Sequence, residues 1–512
     1  RVSTNGGLVT ENWFDLNASR YTASSTLQRM ELLKTGYMGT LSLGWDNYLF
    51  LELTGRQERS STLKDKSFFY PSANLSFLFS NAFRMPAWWN HGKLRLSYGI
   101  VGNAPETYAA NIIYEQGSDN GFTWNYVPSS WGNANIRPEK KYEYEIGLES
   151  KFLNNRLGFD VSYYNNRVKD QILSTPQPSS SGVKYVLMNV GEVANEGWDI
   201  SVSATPVLTK NFRWDLTANY GIYRNKVVKL AEGVPYLEIS NIGGGGAKIQ
   251  AVEGRPMGDI YVQMPQMNEN GDYLVSDKGL YLNQTDLQRV GNINPDGVGG
   301  LFSSFSYKNI FLDFSIDFRI GGDVINEMYQ YSTASGLTPE SLQYRDTEHG
   351  GLSYYYPGNN NASGTPVQVD PSSGAGPNGE IIYHDGIILP GVVASTGEKN
   401  TRIIPAGYYY NQTYNWGTQP EQLTYRHSVF DNTYVKLREL TIGYQFPEKL
   451  TAKLGMTRLS VSIFGRNLFY FYKALKNYDA ESSVGTSWAS QAVVGGSTTA
   501  TRNFGVSLRA SF

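Results

Sequence analysis

The stretch Ile310-Phe-Leu-Asp-Phe-Ser-Ile-Asp-Phe-Arg-Ile320 gives the clearest indication of the fold class, because its side chains alternate in polarity from Leu312 onward. The even-numbered positions are all apolar, namely Ile310, Leu312, Phe314, Ile316, Phe318 and Ile320. The odd-numbered positions after Phe311 are Asp313, Ser315, Asp317 and Arg319. Successive side chains of a β-strand point to opposite faces of its sheet. The stretch therefore predicts a strand with one apolar face and one charged face.

The same alternation recurs along the chain and predicts about thirteen strands. They lie near residues 30–43, 47–58, 71–80, 93–101, 140–153, 156–167, 196–207, 212–224, 299–308, 310–320, 433–446, 457–467 and 502–512. Short connections alternate with long ones, and the long ones cover residues 102–139, 168–195, 225–298, 321–432 and 468–501. This alternation is typical of antiparallel outer-membrane barrels, which have short turns on one side and long loops on the other.

The composition excludes several classes of function. The 512 residues include 44 Lys+Arg and 46 Asp+Glu, a net charge of −2, so no nucleic-acid partner is expected. The absence of Cys removes disulfides and thiolate metal sites. No apolar run approaches the roughly 20 residues that a membrane-spanning helix needs. Neither a Gly-x-Ser-x-Gly nor a His-Glu-x-x-His motif is present, so we expect no enzymatic activity.

Alternation alone does not distinguish a membrane barrel from an antiparallel sheet in a soluble protein. Aromatic residues near strand ends favour the barrel, because such barrels carry interfacial girdles of Trp and Tyr. These residues are Trp45, Tyr48, Trp198, Trp214 and Tyr444. One predicted strand changes phase, since Val435 and Leu437 alternate on one parity and Leu440 and Ile442 on the other. A β-bulge near Arg438 and Glu439 would restore the register.

Several segments, spread over nearly the whole chain, resemble the SusC/RagA family of TonB-dependent outer-membrane transporters. They are Lys93-Leu-Arg-Leu-Ser-Tyr-Gly-Ile-Val-Gly-Asn103, Asn155-Arg-Leu-Gly-Phe-Asp-Val-Ser-Tyr-Tyr-Asn165, Asn189-Val-Gly-Glu-Val-Ala-Asn-Glu-Gly-Trp198, Gly321-Gly-Asp323, Tyr434-Val-Lys-Leu-Arg-Glu-Leu-Thr-Ile-Gly-Tyr444 and Gly465-Arg-Asn-Leu-Phe469. The chain ends in Phe512, similar to the terminal aromatic residue that the barrel-assembly machinery binds. Each segment alone is a weak signal, and their order and spacing make the resemblance specific.

The resemblance implies an all-β, antiparallel transmembrane barrel of about 22 strands, filled by an N-terminal plug. The thirteen strands here would be its C-terminal part, with residues 30–512 in the barrel and residues 1–29 in an extracellular loop. An open sheet would leave two unpaired edges in lipid. We therefore expect the chain to be part of a nicked or separately described transporter. Its partner would be the N-terminal part of the same transporter, which holds the plug, the remaining strands and the TonB-binding segment.

The resemblance also implies the location and the other partners. The location would be the outer membrane of a Gram-negative, Bacteroidetes-type bacterium, with the apolar strand faces against the lipid bilayer. A SusD-like surface lipoprotein would cap the external side, and a dimer of transporter–lipoprotein pairs is a further expectation. The function would be TonB-dependent import of a large nutrient, an oligosaccharide or alternatively an oligopeptide. A passive porin, a barrel-anchored adhesin and a soluble carbohydrate-binding protein are the competing interpretations.

The candidate binding residues are aromatic and lie in the predicted external loops, where rings with polar edges suit sugar faces or peptides. They are Trp124, Tyr126, Trp131, Tyr329, Tyr331, Tyr408 and Trp416. Packing of the loops on themselves or on a lid is the alternative role for each ring. A second set of residues, on polar strand faces, would contact the plug or line the substrate path. This set is Arg319, Arg438, Glu439, Arg466 and Arg509.

Three other segments carry weaker signals. Gly243-Gly-Gly-Gly-Ala-Lys248 lacks the Gly-Lys-Ser/Thr ending of a phosphate loop and is predicted to be the flexible tip of a long loop. Residues 370–380 have acidic ends but lack the alternating ligands of an EF-hand, so a turn-rich loop is expected, with calcium bound by external carboxylates as the alternative. His384 beside Asp385 is expected to be a surface imidazole rather than a metal ligand. No cofactor is expected.

Overall fold

The computed structural model describes residues 2–25, 30–63, 67–111, 113–119, 122–360, 362, 364–415, 425–496 and 500–512. One antiparallel sheet of thirteen strands dominates these residues, and we call it the wall sheet. Its strands, in both chain and spatial order, are β1 (Lys34–Trp45), β2 (Leu49–Ser60), β3 (Ser67–Phe77), β4 (Trp89–Asn103), β5 (Glu139–Phe152), β6 (Leu157–Lys169), β7 (Glu192–Leu208), β8 (Phe212–Lys229), β9 (Gly297–Tyr307), β10 (Ile310–Ile320), β11 (Tyr434–Gln445), β12 (Arg458–Lys473) and β13 (Asn503–Ser511). Each overlaps one predicted strand, so the sequence prediction is confirmed.

The edges of the wall sheet are β1 and β13. Within the described residues β1 pairs only with β2, and β13 pairs only with β12. The part of the chain that the structure describes contains no helix long and apolar enough to cross a bilayer. Residues 1–29, predicted to be an external loop, include a two-stranded hairpin of Val2–Leu8 and Ser19–Ser25. Their assignment to the outside stays a prediction.

The register of the wall sheet brings apolar residues together on one face. Leu312 of β10 lies opposite Phe305 of β9 and Ile442 of β11. The predicted bulge is confirmed at Arg438. Ser315 pairs with Glu439 and the next residue, Ile316, pairs with Leu437, so Arg438 is the extra residue and the two halves of β11 stay in phase.

The two faces of the wall sheet have different environments. On the apolar face, large side chains remain exposed, with Phe504 75%, Val506 72% and Ile463 65% accessible. Leu312, Phe314 and Ile316 also keep part of their surface accessible, unlike residues in the dry core of a sandwich. The opposite face carries ion pairs such as Arg95 to Asp160, at 2.6 Å between Nη2 and Oδ1. An outer apolar surface and an inner charged surface are the arrangement of a membrane barrel wall.

Besides the wall sheet, the described residues form seven smaller sheets and several short helices. One is the N-terminal hairpin, and two are the pairs Glu115–Asp119 with Phe122–Tyr126 and Leu274–Val275 with Val392–Val393. Two have three strands: Ser130–Trp131, Ile172–Pro176 and Tyr185–Asn189 form one, and Asp323–Asn326, Val429–Asp431 and Val493–Val494 form the other. Two have four strands: Tyr236–Ile242, Ala247–Val252, Asp259–Val262 and Gln288–Asn292 form one, and Leu352–Tyr355, Val367–Gln368, Tyr383–Ile387 and Ile404–Pro405 form the other. The α-helices are α1 (Phe79–Ala82), α2 (Glu327–Ala334), α3 (Pro357–Asn360), α4 (Ala406–Tyr414) and α5 (Glu448–Thr451). Single 3-10 turns occur at Leu16–Ala18, Ser179–Ser181, Gly243–Gly245, Pro339–Leu342, Tyr425–His427, Ala452–Leu454 and Ser490–Ala492.

Three of the long connections share one hydrophobic core, and we call the described residues within 230–296, 321–433 and 474–502 the loop unit. The largest buried cluster consists of Ile242, Ala247, Ile249, Ile260, Val262, Ile293, Ile325, Tyr425, Ala489, Ala492 and Val493. Short strands join the same segments, since Ile325 pairs with both Val429 and Val493. The loop unit is therefore a folded structure and not a set of independent loops.

The glycine-rich segment at residues 243–248 departs from its prediction. It forms the turn of a hairpin in the loop unit, between Tyr236–Ile242 and Ala247–Val252. Gly243 has a φ of 58° and lies so close to the Tyr425 hydroxyl that a Cβ atom would come within 2.1 Å of it. Its neighbours Ile242 and Ala247 are buried. The predicted loop tip is therefore a hairpin turn in which Gly243 is needed for close packing against Tyr425, and the flexibility of the rest of the turn stays a prediction.

Candidate functional site

The predicted charged residues of the strands do not form a single site. Arg438, at the bulge of β11, donates hydrogen bonds from Nε to Asp317 at 2.6 Å and from Nη2 to Glu481 at 2.5 Å. Glu439 accepts a hydrogen bond from Arg466 Nε at 2.9 Å, in a more exposed pair. Arg319 donates to the carbonyl oxygens of Gly321 and Ile293, while Arg509 lies exposed on the edge strand β13. Their roles toward a plug or a substrate path stay predictions.

The sequence prediction missed Glu481, which is a hydrogen-bond partner of Lys436 and Arg438. It lies in the last long connection, yet it accepts hydrogen bonds from Lys436 Nζ at 2.5 Å and from both Nη atoms of Arg438. Burial alone would raise the pKa of Glu481, but these hydrogen bonds outweigh it and lower the pKa to about 2. We call Lys436, Arg438, Asp317 and Glu481 the wall–loop ion cluster. It fixes the last connection against the polar face of the wall sheet.

A concavity of about 610 Å³ lies on the polar face of the wall sheet. Its lining residues come from β6, β7, β8, β9, β10 and β11, and the charged ones are Asp160, Asp199, Asp317 and Arg319. Asp160 and Asp317 are each paired with an arginine, Arg95 and Arg438. Most of the charged side chains in this part of the wall sheet are therefore balanced by an oppositely charged partner. Charges that face a filled or water-containing barrel interior need such partners.

A second cavity, of about 590 Å³, lies in the loop unit, and we call it the aromatic cleft. Its lining includes six tyrosines and only a few charged or amide side chains. The polar and aromatic members are Tyr281, Tyr329, Glu340, Gln343, Tyr344, Tyr409, Tyr410, Tyr414, Arg426 and His427. Helix α4 supplies three of the tyrosines. Tyr410 and Tyr414 are four residues apart and so share one face of α4, with ring centroids 5.9 Å apart.

The tyrosine hydroxyls of the aromatic cleft are neutral hydrogen-bonding groups. Burial raises the pKa of Tyr409 and of Tyr410 to about 12. The Tyr410 hydroxyl donates to the Glu340 carbonyl oxygen at 2.7 Å, which holds α4 against the Pro339–Leu342 turn. Apolar ring faces combined with neutral hydroxyls suit a ligand that is itself part apolar and part hydroxylated.

Arg426 and His427 form the polar end of the aromatic cleft. Arg426 Nε donates to His427 Nε2 at 2.8 Å, so His427 is neutral with its proton on Nδ1. Burial, followed by the charge of Arg426, lowers the pKa of His427 to about 4. The imidazole also stacks on Tyr414, with ring centroids 5.7 Å apart. Among the described residues, no carboxylate forms a salt bridge with Arg426.

The structure separates the predicted aromatic residues into different places. Among the described members of that set, only Tyr329 lines the aromatic cleft, where its ring meets Tyr414 edge-on. Trp124 and Tyr126 lie on the hairpin Glu115–Asp119/Phe122–Tyr126, which is not part of the loop unit.

The other candidates that the structure describes do not line the cleft. Trp131 pairs with Val186 in a small sheet. Tyr331 lies on α2, and Tyr408 is exposed on α4. Trp416 lies outside the described residues. The sequence prediction did not select Tyr281, Tyr344, Tyr409, Arg426 or His427. The repeat of tyrosines at helical spacing in residues 406–414 was the signal that could have found α4.

The weaker metal-site candidates have ordinary partners. His384 Nδ1 lies 2.8 Å from Ser353 Oγ, and Asp385 accepts a hydrogen bond from the Tyr354 hydroxyl at 3.1 Å. Asp370 accepts from Ser372, as in a plain turn. In the described part of the chain, no group of three or more His, Cys, Asp or Glu side chains could hold a metal ion. Calcium binding by the external carboxylates stays a prediction.

Comparison with known proteins gives a consistent set of similarities. Residues 4–254 match the family model described as "TonB dependent receptor-like, beta-barrel". TonB-dependent receptor P3 of Formosa agariphila is 23% identical over 483 residues, which cover 88% of this chain and 42% of that protein. TonB-dependent receptor P26 of the same organism is 30% identical over 330 residues, covering 57% and 32%. TonB-dependent receptor SusC of Bacteroides thetaiotaomicron is 27% identical over 247 residues, covering 44% and 24%.

The fold is shared with a solved structure. The structure of the RagAB peptide transporter superposes with a TM-score of 0.69 at 18% identity, covering 98% of this chain and 50% of that one. At this identity the likeness concerns the fold alone. The chain spans less than half the length of the curated relatives that it matches, between 24% and 42% in these three cases.

Proposed function

We propose that the chain is part of a TonB-dependent receptor β-barrel of the SusC and RagA type in the outer membrane of a Bacteroidetes bacterium, and that the whole protein imports a large nutrient by TonB-dependent transport. The observation that carries this proposal is the wall sheet. Its thirteen strands present an exposed apolar face opposite a face of paired charges. Such a sheet needs lipid on one side and a wet or filled interior on the other.

The free edges of the wall sheet support a partner that contributes more strands. An unpaired strand edge in lipid costs several kcal/mol for each unsatisfied backbone group. We propose that β1 and β13 pair with further strands of the same transporter, which would also supply the plug and the TonB-binding segment. The polar concavity on β6 to β11 would then face that plug.

The aromatic cleft supports an oligosaccharide as the nutrient. Stacked and edge-on tyrosine rings offer apolar faces for sugar rings, and their neutral hydroxyls can exchange hydrogen bonds with sugar hydroxyls. A SusD-like lipoprotein would cover the loop unit and capture the substrate, and two such pairs would associate as a dimer. An oligopeptide is the alternative cargo, since RagAB, which has the same fold, is a peptide transporter.

Uptake in the host bacterium tests the proposal. The gene for the full transporter would be deleted and restored, and entry of fluorescently labelled oligosaccharides and oligopeptides would be measured with and without a protonophore. We expect uptake that requires the gene and stops when the proton gradient collapses. Uptake that persists with the protonophore would instead indicate a passive porin. Normal uptake in the deletion strain, with loss of surface attachment, would indicate an adhesin.

A further inference from the structure

Arg426 has no anionic partner among the described residues, and the other charged side chain in the lining of the aromatic cleft is that of Glu340. We propose that Arg426 binds the acidic group of an anionic oligosaccharide. This inference rests on the proposed function and narrows its substrate class to saccharides that carry a carboxylate or a sulfate. The aromatic cleft would hold the sugar rings, and Arg426 would select the charge. Nothing in the family similarities assigns a charge preference to this chain.

The hydrogen bond to His427 fixes how Arg426 can meet a ligand. Its Nε is occupied by His427 Nε2 at 2.8 Å, so the side edge of the guanidinium is used. The end edge, formed by the two Nη atoms, has no hydrogen-bond partner among the described residues. A planar carboxylate or a sulfate accepts two parallel hydrogen bonds from such an edge. His427 therefore positions Arg426 and leaves the edge formed by the two Nη atoms open to a ligand.

The surroundings of Arg426 favour contact of its guanidinium with a bound anion over contact with water alone. The guanidinium is partly buried in the lining of the cleft, near the rings of Tyr281, Tyr409 and Tyr414. Partly buried arginines elsewhere in the chain have acceptors for their guanidinium groups: Arg255 forms a salt bridge with the fully buried Asp259, and Arg319 donates from Nη2 to the carbonyl oxygen of Ile293. A partly desolvated charge without a counter-ion gains more from an incoming anion than an exposed one does.

The chemistry of the cleft favours a saccharide over an acidic peptide. Its remaining polar groups are the tyrosine hydroxyls, the amide of Gln343, the imidazole of His427 and the carboxylate of Glu340, all of which can form hydrogen bonds with a ligand that carries many hydroxyl groups. The short strands of the loop unit near the cleft are already paired, with Leu352 opposite Gly386 and Ile387 opposite Ile404. A peptide added as an extra strand would need a free edge there. An acidic peptide is therefore the alternative that the experiment includes.

The experiment measures binding to the purified full transporter in detergent by calorimetry. The probes are two matched pairs: an oligogalacturonide with its methyl ester, and a sulfated galactan oligosaccharide with its desulfated form. A Glu-containing peptide is the fifth probe. The variants are Arg426→Gln, which removes the charge, and Arg426→Lys, which keeps it. Lys399→Gln is the matched control, because Lys399 is an exposed cation of the loop unit that does not line the cleft.

We expect the wild type to bind the anionic member of at least one pair about 10- to 100-fold more tightly than its neutral partner, as a charged hydrogen-bonded pair allows. Arg426→Gln should abolish that preference, Arg426→Lys should keep part of it, and Lys399→Gln should keep all of it. A heat-shifted band in gel electrophoresis would show that each variant is folded.

The outcomes separate this inference from the proposed function. Equal binding of anionic and neutral saccharides by the wild type overturns the inference and leaves saccharide import standing. The same conclusion follows if folded Arg426→Gln retains the full preference. Tight binding of the peptide alone overturns the choice of a saccharide. Failure of import itself is detected independently, by the deletion strain and the protonophore.

Discussion

Replacing Glu481 by Gln should release the last long connection from the wall sheet. Glu481 lies at the centre of the wall–loop ion cluster, where Lys436 has a side chain only 3% exposed. Loss of the negative charge would leave Lys436 and Arg438 facing each other with only Asp317 to balance them. Removing one partner of a buried ion pair typically costs about 3–5 kcal/mol.

The lowered pKa of Glu481 measures how much its ionised form stabilises the folded state. A decrease from the ordinary value of 4.5 to about 2 corresponds to ~3 kcal/mol of stability at neutral pH. We reduce this to about 2 kcal/mol, because 26% of the Glu481 side chain and 29% of the Arg438 side chain remain exposed. Because the pKa is lowered in the folded state, this contribution is complete above pH 4.5 and is lost as the pH falls toward 2.

Hydrogen exchange of the full transporter measures this opening. The readout is the amides of the strand Val493–Val494, which pairs with Ile325 and Asn326. A loss of about 2 kcal/mol predicts roughly 30-fold faster exchange in Glu481→Gln at pH 7. Glu439→Gln is the matched control, since its pair with Arg466 is more exposed. Exchange within threefold of the wild type in Glu481→Gln, or an equal effect in both variants, would refute the reasoning.

Three further predictions address the wall, the terminus and the cleft. Ile463→Lys, on the exposed apolar face, should lower the free energy of unfolding of the barrel in lipid by about 2–4 kcal/mol, whereas Ser462→Lys, on the polar face, should not. Denaturant unfolding in lipid vesicles measures the difference, and equal unfolding midpoints for the two variants would contradict the prediction. Phe512→Ser should lower the amount of heat-shifted barrel in outer membranes without changing the amount synthesised, and unchanged assembly would show that this aromatic residue is dispensable. His427 should show no NMR titration between pH 5 and 8, because burial lowers its pKa to about 4. Folding stability should fall as the pH drops from 6.5 toward 4, since the unfolded state then binds a proton that the folded state does not. An NMR titration midpoint near 6.5 would contradict the burial of His427.

The wall sheet could be predicted from the sequence because its signal is local. Alternation over ten residues is visible within each strand, and the phase change in β11 gave the bulge at Arg438. The ends of the strands were less accurate. The strand β7, for example, begins at Glu192 and not near residue 196. Pairing with neighbouring strands extends the ladder beyond the alternating segment, and no single strand's pattern contains that information.

The aromatic cleft could not be predicted because its residues meet only after the loop unit has folded. Tyr281, Tyr344 and Arg426 come from well-separated parts of the chain. Aromatic content marked the right connection, but it could not distinguish Tyr408, which is exposed, from Tyr409 and Tyr410 on the next positions of α4. That choice depends on the face of the helix, and the helix itself was not predicted.

The wall sheet and the loop unit owe their stability to different environments. In the described residues, the buried hydrophobic side chains of the thirteen strands are Phe68, Val193, Val227 and Leu437, whereas the loop unit contains the largest buried cluster. The wall must therefore gain its apolar stabilisation from lipid, at roughly 25 cal/mol for each Å² removed from water, while the loop unit gains its own by internal packing. Because the two contributions are separate, we expect that a rearrangement of the loop unit would leave the strand ladder intact. The wall–loop ion cluster joins the two, so a rearrangement of the last connection would reach the polar face of the wall through Glu481.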